Sequence, residues 1–169
     1  MEPYGIYQAI VQVRSVEEFL EQLRSIGEEF GVRIVFFNAD LVAGSSHVRT
    51  AVEHALRSST AGDRVARSFE MEALLYASGS RQCTDAARFG IAPGKLSAFI
   101  CMVPPDPAAA QALGTLVDFV EDDWDTVDKG KREILMDLFS ISPEELMVAG
   151  EDRIVDLVKE RVALLDVYR

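Results

Sequence analysis

The chain has 169 residues, of which 49% are hydrophobic and 27% charged, so we expect one domain with its own core and exclude disorder as the main state. The formal net charge is −11, and with only two cysteines and two histidines a four-ligand zinc site would need all four of them unless carboxylates supplied part of the set. The start of the chain has no basic segment and no apolar run is long enough to span a membrane, so we predict a cytoplasmic protein without a signal peptide.

The first third of the chain alternates strand and helix patterns. Residues 6–13 alternate apolar and polar side chains as a half-buried strand does. Ser15 followed by Glu18 is a helix-start signature, and helical spacing then continues to Gly31. Residues 32–37 form a continuous apolar run with β-branched members, which predicts a buried strand.

The remaining elements are mostly helices. Pro104-Pro105 is the only plausible domain boundary in the sequence. Asp106-Pro107, which follows it, is a typical helix start. We predict a further strand at 96–103 and an acidic loop at 121–128 around Trp124. The predicted helices cover residues 46–58, 64–77, 81–89, 107–120, 131–139, 143–149 and 151–165. Few strands and grouped helices indicate a single layered α+β domain over residues 1–169 rather than a doubly wound sheet.

Charge is distributed unevenly along the chain. Residues 104–169 carry 16 acids and 7 bases, a net charge of −9, whereas residues 44–95 carry 5 acids and 7 bases, a net charge of +2. A protein that binds duplex nucleic acid usually has a basic footprint over a whole face. Any nucleic-acid contact is therefore expected to be small and centred on residues 44–95.

The two histidines, His47 and His54, share one predicted helix. Seven residues separate them, which is about 10.5 Å along a helix axis, so a shared metal ion is not expected. Together with Thr50 and Arg57 they form a stripe opposite the apolar face, which is either an ordinary solvated face or a polar contact surface for a partner or an RNA end. No metal, cofactor or catalytic constellation is predicted.

Two short segments resemble ligand-binding loops. Gly44-Ser45-Ser46-His47 is similar to a phosphate-binding turn before a helix, but it lacks the spacing of the known phosphate motifs. The aspartates at 122, 123, 125 and 128 fail the calcium-loop spacing, which favours a solvated loop.

The segment from Glu72 to Gln82, EALLYASGSRQ, carries the strongest functional signal. A predicted helix ends at Gly79, and Ser78, Ser80, Arg81 and Gln82 would then place backbone donors, a guanidinium and an amide at one corner. Arg64 and Arg67 precede this corner on one face of the same predicted helix. Such a set suits a phosphate and a base edge.

Three segments together resemble the TPRKB-like (CGI-type) kinase-binding subunits of the KEOPS complex. They are Phe37 to His47 (FNADLVAGSSH), Glu72 to Gln82, and Glu160 to Asp166 (ERVALLD). They occur in the family's order and extend over most of the chain, and the middle segment is the most specific.

The resemblance implies a function without catalysis. KEOPS installs the threonylcarbamoyl group on the adenosine next to the anticodon of certain tRNAs, and another subunit performs the chemistry. The TPRKB-like subunit is expected to bind the kinase-like ATPase subunit and the single-stranded 3′ CCA end of tRNA. The implied fold is a small antiparallel or mixed sheet with a helical subdomain.

The resemblance carries His47, Arg81 and Gln82 over as nucleic-acid-binding residues, and Arg64, Arg67 and Ser78 more loosely. The low count of four lysines indicates weak nonspecific attraction to tRNA. Two alternatives remain open at this stage. One is a scaffold that regulates the kinase-like subunit without any RNA role, and the other is a small-molecule sensor that binds an anion at Gly44–His47.

Overall fold

Four antiparallel strands form one sheet in a computed structural model that describes residues 2–64 and 66–167. In chain order the strands are β1 (Gly5–Val13), β2 (Arg33–Asn38), β3 (Gly94–Val103) and β4 (Asp118–Val120). Their spatial order is β2-β3-β1-β4, so the two long strands lie in the middle. The register pairs Ala9 with Ala98 across β1 and β3, and Val35 with Cys101 across β2 and β3.

Eight α-helices are found within the described residues. They are α1 (Val16–Phe30), α2 (Ser45–Ala61), α3 (Phe69–Ser78), α4 (Cys83–Ala87), α5 (Pro107–Leu113), α6 (Lys129–Leu138), α7 (Pro143–Ala149) and α8 (Ile154–Val167), with a 3-10 turn at Glu151–Arg153 before α8. Helices α2 to α4 follow one another between β2 and β3, which confirms the predicted helical subdomain and the α+β class.

The alternation of side chains along the strands divides the core into two layers. Ile34 and Phe36 face the layer that contains α1 and α5. Val35, Phe37 and Cys101 face the larger layer formed by the other helices. Burial of apolar surface on both faces explains why β2 and β3 read as continuous apolar runs.

Local capping signals place several helix ends where the sequence predicts them. The Ser15 hydroxyl accepts a hydrogen bond from the Glu18 amide at the start of α1, and Gly31 ends that helix in the left-handed conformation. Asp106 accepts from the amides of Ala108 and Ala109 at the start of α5. These caps satisfy backbone groups that a helix leaves unpaired at its ends.

The predicted helix over 107–120 is wrong in its second half. Helix α5 ends at Leu113, and residues 118–120 instead form β4, in which Phe119 pairs with Ala9 of β1. Apolar residues in this segment fit helical spacing as well as strand spacing, and pairing with β1 decides the conformation. Short helical segments are often overridden by tertiary contacts in this way.

Nothing in the described helices has the length and apolar character that a membrane crossing requires.

Candidate nucleic-acid interface

The predicted corner lies where α3 ends and α4 begins. Gly79 has a φ of 65°, and its amide donates to the last turn of α3. A left-handed residue of this kind ends a helix and redirects the chain, and glycine adopts it without a steric penalty. The turn sends Ser80, Arg81 and Gln82 away from α3, and α4 follows at Cys83.

Two backbone donors of this turn, the amides of Ser80 and Gln82, are bonded within the protein, contrary to the prediction that they are exposed. The Ser80 amide donates to Leu75 O and to the Ser78 hydroxyl, and the Gln82 amide donates to the Ser80 hydroxyl at 3.0 Å. The Ser80 hydroxyl in turn donates to Asp85. The chain uses these donors to hold the turn in shape, because an unpaired amide at a tight turn is costly.

Ser78 belongs to the interior of the protein. Its side chain is buried, and its hydroxyl donates to Leu75 O at 2.8 Å. The residue therefore stabilises the end of α3 rather than facing a ligand. The groups of the corner that face solvent are the side chains of Arg81 and Gln82, and no described residue pairs with either.

His47 lies in the core and not on a polar face of α2. Its side chain is fully buried, its Nδ1 accepts from the Ala43 amide at 2.9 Å, and its Nε2 lies 2.8 Å from Ala77 O. Because Nδ1 accepts, Nε2 carries the proton and donates. Burial lowers the pKa of His47 to about 4. The predicted polar stripe is wrong at this position, because α3 packs over the face that carries His47.

The two bonds of His47 join the start of α2 to the last turn of α3. Its ring also lies edge-on against Phe139, which directly follows α6, with centroids 5.5 Å apart. This places His47 directly behind the corner, where its ring has no exposed surface. Histidine suits this bridge between the Ala43 amide and Ala77 O, because a neutral imidazole has one donor and one acceptor at a fixed spacing.

Arg64 and Arg67 lie in a loop before α3, not on α3 as predicted. Helix α3 begins at Phe69, where the Ser68 hydroxyl accepts from the Met71 amide. The Arg64 guanidinium donates to the backbone oxygens of Ala66 and Arg67, so it holds its own loop. The ten residues of α3 separate this loop from the corner by about 15 Å.

Glu72 connects the loop to the interior. It is buried, accepts from the Ser58 hydroxyl of α2 at 2.9 Å, and accepts from the Ala66 amide at 3.4 Å. The first residue of the EALLYASGSRQ segment thus fixes the loop at one end of α3. The last residues of the same segment form the corner at the other end.

A second network joins the middle segment to the C-terminal segment. The Tyr76 hydroxyl donates to Asp166 at 2.5 Å, and His54 Nδ1 lies 2.6 Å from the other oxygen of the same carboxylate. Tyr76 and Asp166 are 90 residues apart in sequence. The bonds fasten α8 across α2 and α3, so the middle and C-terminal segments are in contact in the folded chain.

A cleft of about 300 Å³ opens beside the corner, between Ser78–Ser80, the end of α6 and α8. Arg88 and Arg161 contribute cations to its lining, and Asp85 and Asp137 contribute carboxylates. Arg161 is occupied, because it forms a bidentate ion pair with Glu145 and donates to the oxygens of Phe139 and Ser140. That guanidinium holds the pKa of Glu145 below its usual range.

Arg88 is the residue that sequence reasoning missed. It is exposed and lines the cleft beside Ser80, and within residues 2–64 and 66–167 its side chain forms no hydrogen bond or ion pair. The sequence could have indicated Arg88, because it lies six residues after Gln82 in the same short predicted helix. Arg81 and Gln82 precede α4 and Arg88 follows it, so two exposed guanidinium groups and one exposed amide flank this short helix. Such groups bind phosphate, stack on bases and pair with base edges.

The phosphate-like turn at Gly44–His47 already has an anion from the chain itself. The Asp125 carboxylate accepts from the Ser45 amide at 2.7 Å and from the Ser45 hydroxyl at 2.9 Å. Gly44 permits this approach, since a Cβ there would lie 2.7 Å from an Asp125 oxygen. The positive end of α2 is therefore neutralised internally.

Carboxylates of the acidic loop hold the loop itself and the start of α6. Asp123 accepts from the Thr126 hydroxyl and amide, and Asp128 accepts from the Lys131 amide at the start of α6. Within the described residues no group of three His, Cys, Asp or Glu side chains could hold a metal ion.

Two comparisons with known proteins bear on this fold and surface. The family model described as "Kinase binding protein CGI-121" matches residues 10–166. The chain belongs to the CGI-121 family. A relative from Methanocaldococcus jannaschii, named "Regulatory protein Cgi121", is 26% identical over 140 residues, which cover 82% of this chain and 87% of the relative. The match confirms the TPRKB-like (CGI-type) resemblance and includes all three signature segments.

Proposed function

We propose that this CGI-121 family member is a regulatory subunit that binds a kinase-like ATPase and, at the 78–82 corner, the 3′ CCA end of tRNA. In this role it belongs to a KEOPS-type complex for threonylcarbamoyladenosine modification and contributes no catalytic residue. The kinase-binding part is supported by the description of the family and by the name of the M. jannaschii relative. The tRNA part is supported by the exposed side chains of Arg81 and Gln82 on a turn fixed from behind.

The size and charge of the corner fit a single-stranded tail better than a duplex. A duplex contact needs many phosphate-binding cations over an extended face, whereas the chain carries a net charge of −11. A single strand can be held by a few guanidinium and amide groups that stack on bases and read their edges. Arg81 and Gln82 supply such groups from the turn, and Arg88 supplies a further guanidinium from the adjoining cleft of about 300 Å³, whose lining also includes Asp85 and Asp137.

Fluorescence anisotropy with intact tRNA and with tRNA trimmed of its CCA end tests the tRNA part. We expect trimming to abolish binding and the salt dependence to be shallow, because few phosphates are contacted. Arg81→Ala should weaken binding of intact tRNA at least about tenfold. Arg14→Ala is the matched control, because Arg14 is also exposed and its loss changes the net charge equally. Equal weakening by both variants would contradict a site at the corner.

The cysteines of the chain allow an independent footprint. Cys83 is exposed and directly follows Gln82, whereas Cys101 is buried and burial raises its pKa to about 12. Thiolate is the reactive form, so maleimide should label Cys83 selectively. Intact tRNA should slow that labelling and trimmed tRNA should not. Unchanged labelling at saturating intact tRNA would exclude the corner.

The scaffold alternative is distinguished by the kinase-like subunit. Purified kinase-like ATPase should co-elute with the wild-type chain and with Arg81→Ala alike, since the corner is proposed for RNA alone. Co-elution combined with equal or absent binding of both tRNAs would favour a pure regulator of the kinase. The anion-sensor alternative is disfavoured, because Asp125 occupies the donors of Ser45.

A further inference from the structure

The outer edge of β2 carries unpaired backbone groups. The Asn38 amide points away from β3, because it donates to Phe89 O at 2.6 Å, whereas the next amide, of Ala39, donates to Ser97 O at 2.8 Å in the adjoining chain. Backbone groups alternate in direction along an antiparallel strand. The amides and carbonyls of Ile34 and Phe36 therefore point outward, on the side where β2 has no neighbouring strand.

This open edge is limited to a short stretch. At one end the Val32 amide donates to Gly27 O, and at the other the Asn38 amide donates to Phe89 O. Between these two bonds, no group among residues 2–64 and 66–167 donates to or accepts from the outward groups of Ile34 and Phe36. Two donors and two acceptors thus remain, with the spacing of a strand.

The edge opens into a cavity of about 530 Å³. Helix α1 forms one wall with Leu20, Leu23 and Gly27, and the other wall includes Leu74 of α3 and Ile91. The side chains of Ile34 and Phe36 are themselves buried, at 9% and 3% exposure. Both helix layers therefore extend beyond the sheet edge, and together they form a slot with β2 at its base.

We propose that this slot binds an extended segment of a partner protein, which pairs with Ile34 and Phe36 as a fifth strand. A strand presents donors and acceptors at the repeat of the β2 edge, whereas the backbone groups of a helix are already paired within it. The proposal goes beyond the proposed function, because it concerns a separate surface and a different class of ligand.

The walls of the slot specify the segment further. The apolar side chains of Leu20, Leu74 and Ile91 favour β-branched or other apolar residues in the paired stretch. The charged lining residues are Arg24, Arg33, Glu28 and Glu70, which balance one another, so an uncharged segment is favoured despite the acidity of the whole chain. Only about three or four residues need to enter, because only Ile34 and Phe36 are open.

A second copy of this chain does not fit the same slot. In each copy α1 and α3 flank the β2 edge. Pairing of two β2 edges would therefore bring these helices of both copies into the same space between the sheets. A free extended segment carries no such walls. Edges of this kind are usually covered or blunted in monomeric proteins, and here no strand among residues 2–64 and 66–167 pairs with the outer side of β2.

Amide hydrogen exchange measured by NMR on the full chain tests the proposal. The probe is a capped peptide of alternating threonine and valine residues with a lysine at each end. The control peptide has the same sequence with N-methyl groups on alternate residues of the edge that would pair. We expect the first peptide to slow exchange at Ile34 and Phe36 at least about tenfold at saturation, because newly formed hydrogen bonds protect these amides.

Substitutions at two residues with similar exposed fractions provide the specificity control. Leu20 lines the slot and is 43% exposed, and Ile134 on α6 lies outside it and is 45% exposed. Leu20→Lys should weaken peptide binding about tenfold by placing a charge against apolar residues, and Ile134→Lys should leave binding unchanged.

Each contrary result overturns the proposal. Unchanged exchange at Ile34 and Phe36 would show that the edge takes no strand. Equal protection by the N-methylated peptide would show an apolar groove without backbone pairing. Protection that rises with protein concentration in the absence of peptide would identify a second copy as the occupant.

Discussion

The EALLYASGSRQ segment has a buried half and an exposed half that differ in how their polar atoms are used. Glu72, Tyr76 and Ser78 are buried; Glu72 and Tyr76 form hydrogen bonds with other parts of the chain, and Ser78 donates to Leu75 O within the segment. Arg81 and Gln82 are exposed, and no described side chain holds them. One contiguous signature therefore contains residues that build a turn and residues that the turn presents. A mutation in the first half should change stability, and a mutation in the second should change binding.

The largest expected effect follows from removal of His47, which supports the buried half. His47→Ala leaves a cavity and two unpaired backbone groups, at Ala43 and Ala77. We expect the free energy of unfolding to fall by about 4 kcal/mol. Urea denaturation measures the loss. A fall below about 1 kcal/mol would show that His47 does not hold the corner.

The pH dependence of stability offers a second test of the same residue. Burial lowers the pKa of His47 to about 4 in the folded state, whereas an unfolded histidine titrates near about 6.5. Between these values the unfolded state binds a proton that the folded state does not. The stabilisation is thus complete above about pH 6.5 and declines by roughly 3 kcal/mol as the pH falls to about 4.

His47→Gln isolates that contribution, because glutamine has a donor and an acceptor but does not titrate. The difference in unfolding free energy between wild type and variant should shrink as the pH falls from about 6.5 to about 4. A difference that is constant across this range would mean that His47 is not buried in its neutral form.

Glu72→Gln should have an intermediate effect within the buried half. The amide nitrogen of glutamine cannot accept, so either the Ser58 hydroxyl or the Ala66 amide loses its acceptor. We expect a loss of about 1–2 kcal/mol and faster hydrogen exchange at Ala66. Exchange at Val35, in the sheet, serves as the internal reference and should change only with global stability.

The smallest expected effect on stability belongs to the exposed half. Arg81→Ala should change the free energy of unfolding by less than about 0.5 kcal/mol, although the same variant is expected to weaken tRNA binding. Thermal and urea unfolding measure the first quantity. If Arg81→Ala lowered the free energy of unfolding as much as Glu72→Gln does, the proposed difference between the buried half and the exposed half would be wrong.

The sequence predicts the parts of the fold that depend on local patterns. Strand alternation, the Ser15 cap and the Gly31 stop each depend on a few neighbouring residues, and these elements are confirmed within one or two residues. The β4 strand is not predicted by local patterns, because its conformation depends on pairing with β1, more than 100 residues earlier.

The sequence predicts where the candidate site lies, but not which of its polar residues are exposed and which are buried. The Gly79 turn and the exposure of Arg81 follow from the local sequence. The burial of His47 depends on Ala77 of α3 and on Phe139, which lie 30 and 92 positions along the chain from it. The pairing of Ser45 with Asp125 joins residues 80 positions apart. Polar residues at helical spacing do not reveal which helix will cover them.

The bonds from Asp166 to Tyr76 and His54 have a consequence for biosynthesis. A ribosome releases the EALLYASGSRQ segment long before it releases α8, and the core behind that segment includes Leu157, Val162 and Leu165. The helical layer is therefore incomplete until translation has passed Asp166. Nascent chains that stall before this point would expose the unfilled face of α2 and α3, so quality control by chaperones and proteases should recognise them as unfinished.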